Sequence, residues 1–322
     1  MNLHASDPAF FQPGKRKAEN IDDLLQLCER KLGLGADRRW TLVSSRMKLQ
    51  KTFFEVEEAS AEGSRRLIGK SSRSDKAAGA YEILRMLWSC GMRPPSRYTV
   101  VEPVAYLPER SLLVQEKAPG LQLISKLQLR TASVEDAQEA VSWLKRLQVL
   151  PVPVQPPADP RWNMDSCCAE LPRALAGEEH RTERLMSAVR ERMPYSGRLV
   201  PSHGDYHPMN LYLSPERVTV IDLDTFAGRE PMADISYLLA QTAIMGYMTL
   251  GSFGGTADFR AALVAAIDDI DMDRISVNMG FAFLRSLHYD FCILHTKPVH
   301  LVEPFLSAAE QCVFDRDVDF GV

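Results

Sequence analysis

Cysteine is sparse and forms no recognisable framework: six residues in 322, at 28, 90, 167, 168, 292 and 312, with no Cys-x-x-Cys motif. Adjacent Cys167 and Cys168 suit an ordinary disulfide poorly, so the six read as reduced, mostly buried thiols of a cytosolic (cytoplasmic) protein. No charge of one sign dominates. The net charge of −4 argues against a strong basic field, and hence against a nucleic-acid partner. Long apolar runs are also missing. The most apolar window, Ile235 to Phe253, contains Ser236, Gln241 and Thr242, which predicts a buried helix and its loop rather than a membrane span. The start, Met1 to Asp7, lacks a basic stretch leading into an apolar one, so no secretory signal is expected. Two nucleotide signatures fail on spacing. Gly69-Lys70-Ser71 ends like a Walker phosphate loop, but its first glycine would fall at Ser64. Gly33-x-Gly35 lacks a third glycine and follows a helical pattern, which excludes a dinucleotide fingerprint.

What is present is an ordinary globular composition, 45% hydrophobic and 25% charged, in a chain long enough for two cores. Charge is uneven along it: residues 1–120 hold 20 Lys/Arg against 15 Asp/Glu, and the remainder 18 against 27. Residues 1–19, with Pro8, Pro13 and the basic Lys15-Arg16-Lys17, read as a loose leader. Helical spacing from Asn20 is followed by three strand-like runs, Trp40–Leu49, Thr52–Val56 and Arg65–Lys70. A helix capped by Ser74 or Asp75 then carries Ala77, Tyr81, Leu84, Leu87 and Trp88 on one face, and Pro94-Pro95 stops it. Strand returns at Tyr98–Tyr106 and Ser111–Gln115. Beyond Pro119-Gly120 the pattern turns helical, as at Val134–Leu150 and Ala169–Met193, around the proline-rich loop 151–160. One hairpin interrupts it: Asn210–Leu213, a turn at Ser214-Pro215-Glu216-Arg217, then Val218–Leu223. The plan is α+β, with a small strand-rich lobe over 1–117 and a larger helical lobe over 118–322.

The hairpin carries the chemistry. His203-Gly204-Asp205 sets a carboxylate before it, Asn210 follows five positions later, and Asp222 ends the apolar run Val218–Ile221. A single Asp or Asn there would be turn chemistry alone. The whole ordered string is what phosphoryl transfer needs: one carboxylate to take a hydroxyl proton, and an amide oxygen with a second carboxylate to hold Mg²⁺.

In these residues the chain resembles the aminoglycoside phosphotransferase and choline kinase family, relatives of the protein kinases. The resemblance implies a two-lobed protein-kinase-like fold, an antiparallel-sheet lobe and a larger mainly helical lobe, that uses ATP or GTP with Mg²⁺. It makes Asp205 the catalytic base, Asn210 and Asp222 the metal ligands, His203 a scaffold and Asp234 a brace for the catalytic loop. It further implies a strand lysine on the phosphates, Lys70, held by a helical glutamate, Glu82, the only acidic residue between Lys76 and Pro94. The adenine hinge falls by position at Gln115, Glu116 and Ala118. Asp224 is open between a second metal contact and an exposed site after the strand.

The chain also departs from the protein-kinase pattern. Lys48-Leu49-Gln50-Lys51 replaces the glycine-rich loop, and His-Gly-Asp stands where protein kinases carry His-Arg-Asp. The expected activity is therefore transfer of a γ-phosphate to a hydroxyl of a small molecule: an aminoglycoside, amino alcohol, sugar or natural product. A non-catalytic nucleotide-binding regulator and a protein kinase stand as alternatives. Asp268, Asp269, Asp271 and Asp273 could meet a cationic acceptor, or form a solvated helix end. His288 and Tyr289 could line its pocket.

Overall fold

The computed structural model describes residues 20–32, 39–48, 51–61, 63–72, 76–157 and 164–319. The leader, Gly33 and Gly35, the Leu49-Gln50 connection, the capping positions Ser74 and Asp75 and the end of the proline-rich loop lie outside these residues.

Strict alternation builds the first sheet. Along β2 (Lys51–Ser60), Thr52, Phe54, Val56 and Glu58 are buried, while the residues between them are only partly so. β1 (Arg39–Lys48) and β3 (Gly63–Ser72) flank it, and β5 (Pro103–Leu107) and β6 (Leu112–Glu116) complete an antiparallel sheet of order β1-β2-β3-β6-β5. Helix α1 (Ile21–Lys31) starts at Asn20, whose side chain accepts from the Asp22 amide. Its Leu24, Leu27 and Cys28 pack with Phe54, Val56, Leu67, Leu112 and Val114 in a separate small core. The Phe54 ring lies across Gly69, where an added Cβ would meet it at 2.1 Å, so this crossing requires glycine. Lys70 pairs with Phe53 and Leu113 in the ladders and therefore shares the opposite face.

Two elements cross the expected lobe boundary. Helix α2 (Lys76–Ser89) buries Ala77, Ala80, Leu84 and Leu87, and these belong to the large core. The strand expected over Tyr98–Tyr106 is in fact two. β4 (Tyr98–Val100) runs parallel to β10 (Val218–Val220) in a second sheet, and only β5 joins the first. Thr99 and Thr219, both buried, share a hydroxyl contact of 2.9 Å where these strands pair. That second sheet has order β4-β10-β9-β7, with β7 (Leu121–Gln122) and β9 (Leu211–Leu213). The chain thus changes sheet three times, across α2, around Val101 and again after Glu116.

The rest is helical: α3 (Leu123–Gln128), α4 (Val134–Gln148), α5 (Met164–Ala174), α6 (Glu179–Arg192), α7 (Ala233–Leu250), α8 (Ala257–Ala265), α9 (Met272–His288) and α10 (Val302–Glu310). A short ribbon of β8 (Val200–Ser202) and β11 (Ala227–Arg229) frames the loop before β9. The single helix expected over Ala169–Met193 is broken into α5 and α6, because Gly177 adopts φ +90° between them. Helix α4 opens with a capping box, Ser133 and Asp136 each accepting the other's backbone amide. α7 buries 12 of its 18 residues, and among the described residues no helix is long and apolar enough to cross a membrane.

Trp143 joins α4 to both chains of the site. It is fully buried, donates from Nε1 to the Thr99 carbonyl (2.9 Å) and stacks on Tyr206 at 5.4 Å. Replacing Trp143 by Ala should cost about 3–5 kcal/mol of unfolding free energy, from the lost burial and the cavity left behind. Urea titration followed by circular dichroism measures it, and a loss under about 1 kcal/mol would show that the site does not hang on this residue.

Candidate active site

The loop between β8 and β9 is held from three directions. Asp234, buried at the start of α7, accepts the backbone amides of His203 (2.7 Å) and Gly204 (2.8 Å). A carboxylate at a helix N-terminus is itself favoured by the dipole there, so the brace suits both sides of the contact. His203 bridges to the hairpin: one ring nitrogen, Nε2, lies 2.9 Å from the Ile221 carbonyl, and the Asp205 amide donates to the other, Nδ1, at 3.2 Å. The Nε2–H tautomer satisfies both. Thr225 closes the third side, its hydroxyl donating to the His203 carbonyl at 3.0 Å. Gly204 takes φ +81°, and a Cβ there would meet Arg229 Nη1 at 2.4 Å and the Thr225 carbonyl at 2.5 Å. Both the backbone and the space exclude a side chain, which explains His-Gly-Asp.

Register does the next step. Val220 pairs with Leu211 and the Ile221 amide donates to the Asn210 carbonyl (3.1 Å), so Asn210 and Asp222 meet at one end of the hairpin. Asn210 donates from Nδ2 to the Asp205 carbonyl (3.0 Å), and His207 Nε2 lies 3.1 Å from the same nitrogen, so its amide oxygen is left for another partner. Asp222 leaves the strand at φ +66°, a conformation Asp tolerates better than most residues. Its Oδ1 accepts from Lys70 Nζ at 2.6 Å, and Asp224 Oδ2 accepts from the same ammonium at 2.8 Å and from Lys51 at 3.4 Å. Asn210, Asp222 and Asp224 offer oxygen donors only, the set that suits a hard divalent cation such as Mg²⁺.

The Lys70–Glu82 pair is not formed. The Glu82 side chain is 69% exposed, and its ion partner is Arg85 at 3.8 Å. Glu82 stands two residues from Ala80, about 200° around the helix from the face that packs inward, so no rotamer returns it to Lys70. The counter-charges for Lys70 come from the loop after β10 instead. Lys70 lines a cavity of about 430 Å³ between the sheet and the hairpin, with Gln115, Glu116, Ala118, Asp222 and Asp224. At its edge, the Glu116 and Lys117 amides donate to the carbonyls of Glu102 and Arg66 (2.9 Å each). The Ala118 amide has no acceptor among the described residues.

Three further side chains surround Asp205. His207 Nε2 lies 3.4 Å from Asp205 Oδ2, Tyr237 follows Asp234 by one turn of α7, and Arg285 on α9 sits 5.1 Å over the Tyr237 ring. Burial alone would raise the Asp205 carboxyl, but the His207 hydrogen bond, the neighbouring imidazoles of His207 and His203 and the Arg285 guanidinium outweigh it and bring the group down to about 2. Burial likewise opposes the charge on Asp222, and the Lys70 ammonium reverses the balance, leaving Asp222 below the usual carboxylate range. Lys70 itself is raised, the two carboxylates overcoming its desolvation. His207 and Tyr237 lie at legible spacings from Asp205 and Asp234, whereas nothing in the sequence links Arg285 to the site. The acidic run from Asp268 sits at the far end of α9, about 20 Å along the helix from Arg285. There Asp268 pairs with Lys145 (2.5 Å), Asp271 caps α9, and Asp273 meets Arg316 (2.9 Å).

Asp234→Ala should cost about 2–4 kcal/mol, because two buried amides lose a charged acceptor together. Equilibrium unfolding measures that cost. A neutral result would mean that the loop is held without Asp234.

The sequence profile of the phosphotransferase enzyme family (APH) matches residues 54–276, well over half of the chain. By sequence alone, no curated protein matches. Among solved structures, a choline/ethanolamine kinase family protein from Mesorhizobium loti superposes with a TM-score of 0.64 at 13% identity, covering 94% of this chain and 99% of that one. The GDP and kanamycin complex of APH(2″)-IIia gives 0.58 at 13% identity, with 90% and 98% covered. Spectinomycin phosphotransferase bound to ADP and spectinomycin gives 0.59 at 10%, with 92% and 96% covered. At such identities the likeness establishes the kinase-like fold, and the profile match establishes the rest: the chain belongs to the APH phosphotransferase enzyme family.

Proposed function

We propose that the protein is a small-molecule kinase that moves the terminal phosphoryl group of ATP or GTP to an acceptor hydroxyl. The observation that carries this is the meeting of Asp205, Asn210 and Asp222 at one end of the β9–β10 hairpin, beneath the cavity that Lys70 lines. The structural relatives bound to GDP and to ADP support a nucleotide in that cavity. Its base would pair with the Ala118 amide, a donor at the cavity edge that has no acceptor among the described residues. Lys70 would exchange its hold on Asp222 and Asp224 for the nucleotide phosphates. Asn210 Oδ1 and Asp222, with Asp224 beside them, would hold Mg²⁺, which supplies neutralisation of charge on the phosphate oxygens.

Asp205 acts as the base. The acceptor oxygen attacks the terminal phosphorus, the bond to the bridging oxygen of the nucleotide breaks, and the acceptor proton passes to the Asp205 carboxylate. Holding that carboxyl at about 2 keeps it ionised at neutral pH, so it orients the hydroxyl from the outset. His207, Tyr237 and Arg285 lie beside Asp205 and would contact the group that carries the hydroxyl.

Asp205→Asn should lose on the order of 10²-fold or more in turnover while keeping nucleotide affinity. An ATP- and GTP-consumption screen over hydroxyl-bearing amines, sugars and antibiotics finds the acceptor; turnover unchanged in the variant would remove Asp205 from the chemistry. Asp222→Ala should instead abolish Mg²⁺-dependent nucleotide binding by calorimetry, and normal affinity would overturn the metal assignment. The sign of the pH dependence follows from the depressed carboxyl. Since Asp205 is ionised above about 2, kcat/KM should show no acid limb from it near pH 5–7. In His207→Gln the limb should move to higher pH, and a profile unmoved by that change would separate His207 from the base.

A further inference from the structure

On the outer side of Arg285, α5 and the end of α9 bring together an imidazole, a thiol and a carboxylate that phosphoryl transfer does not use. His288 is the last residue of α9 and is buried; Cys292 follows four positions later, within the Tyr289–Ile293 turn. Glu170 comes from α5, which packs along α9. One donor atom from each of the three residues lies within 4.8 Å of the others, and among the described residues this is the only such His/Cys/acid group. Nε2 of His288 is already 3.0 Å from Glu170 Oε2.

Local backbone form aids the arrangement. The turn after His288 is a π turn, its Leu294 amide reaching back to the Tyr289 carbonyl at 2.8 Å. Cys292, four residues after His288, stays on the side of the helix that His288 and α5 occupy. Such insertions are costly in a plain helix and recur where a side chain must be re-aimed. Glu170 is half exposed and gives the group a path to solvent, whereas His288 anchors it in the core.

We propose that Glu170, His288 and Cys292 form a binding site for a single borderline divalent cation, zinc being the best fit. A nitrogen, sulfur and carboxylate-oxygen set matches Zn²⁺ and disfavours Mg²⁺ and Ca²⁺, which take oxygen donors. Tetrahedral zinc, with bonds of about 2.0–2.3 Å, holds its donors about 3.3–3.8 Å apart. Rotamer adjustments of about an ångström reach that from the present separations. The Cys292 thiol gives its proton to solvent as the S–Zn bond forms, and the imidazole binds in its neutral form through Nε2. Three protein ligands leave a fourth position open to water or to a ligand. The site would staple α5 to the end of α9, one turn beyond Arg285.

The test uses the full-length protein, stripped with chelator and kept in excess Mg²⁺, with Asp222→Ala in parallel so that the hairpin carboxylates cannot account for binding. Stoichiometric Co²⁺ should give a thiolate charge-transfer band. Zn²⁺ should displace it at one equivalent and raise the melting temperature. Cys292→Ser should abolish the band, and His288→Ala and Glu170→Gln should each weaken zinc binding at least tenfold in competition with a chromophoric chelator. The proposal fails if wild-type protein shows no band, if the band survives Cys292→Ser, or if zinc affinity stays within twofold in all three variants. Should His288→Ala not fold, the wild-type and Cys292→Ser spectra decide. Neither readout involves phosphoryl transfer, so the outcome is independent of the kinase assignment.

Discussion

The ion pair of Lys70 with Asp222 and Asp224 is the contact on which the arrangement of the cleft depends. The ammonium comes from the antiparallel sheet and the carboxylates from the loop after β10, so the pair spans 152 residues of chain and joins two separate cores. Moving such a charge out of water costs several kcal/mol, and one carboxylate in poor geometry would not repay it. Two carboxylates within 2.8 Å do, and the ammonium of Lys70 is raised while the Asp222 carboxyl is lowered. Removing Lys70 would leave two neighbouring carboxylates without their shared cation, which makes Lys70, Asp222 and Asp224 a unit. In the proposed function, nucleotide phosphates and a cation would offer each member a replacement partner.

The loop before β9 is constrained differently. Its atoms are fixed by neutral and charge-assisted hydrogen bonds from Asp234, His203 and Thr225, all rooted in elements that pack in the large core. Trp143 adds an apolar wall, stacked on Tyr206 and edge-on to His203 at 6.3 Å. Gly204 is the point where these demands meet, since Arg229 and the Thr225 carbonyl fill the space a side chain would need. The His-Gly-Asp of this chain is thus a packing requirement as well as a motif. The arginine that protein kinases carry at this position has no room here.

Some of the site was legible because its residues are close along the chain. Asp205, Asn210 and Asp222 sit on one loop and one hairpin, and the Ser214–Arg217 turn sets the register that brings them together. Glu82 was misread for the opposite reason. Its assignment rested on being the sole acid of α2, whereas the apolar positions Ala77, Leu84 and Leu87 already turn it away from the sheet. Periodicity carried the answer and composition did not. The split of Tyr98–Tyr106 into two sheets had no such signal, because Val100 and Val101 are apolar and buried in either assignment.

The loop–hairpin centre, the helix faces and the alternation of β2 could be read from the residues alone, since each depends on spacings of a few residues. Only the tertiary structure decided which charges face each other. Lys70 meets Asp222 and Asp224, Arg285 reaches Tyr237 from α9, and Glu170 finds His288 across two packed helices. Pairings between distant segments follow from how whole faces pack, and packing of apolar faces leaves no local mark on the polar residues that it carries into contact.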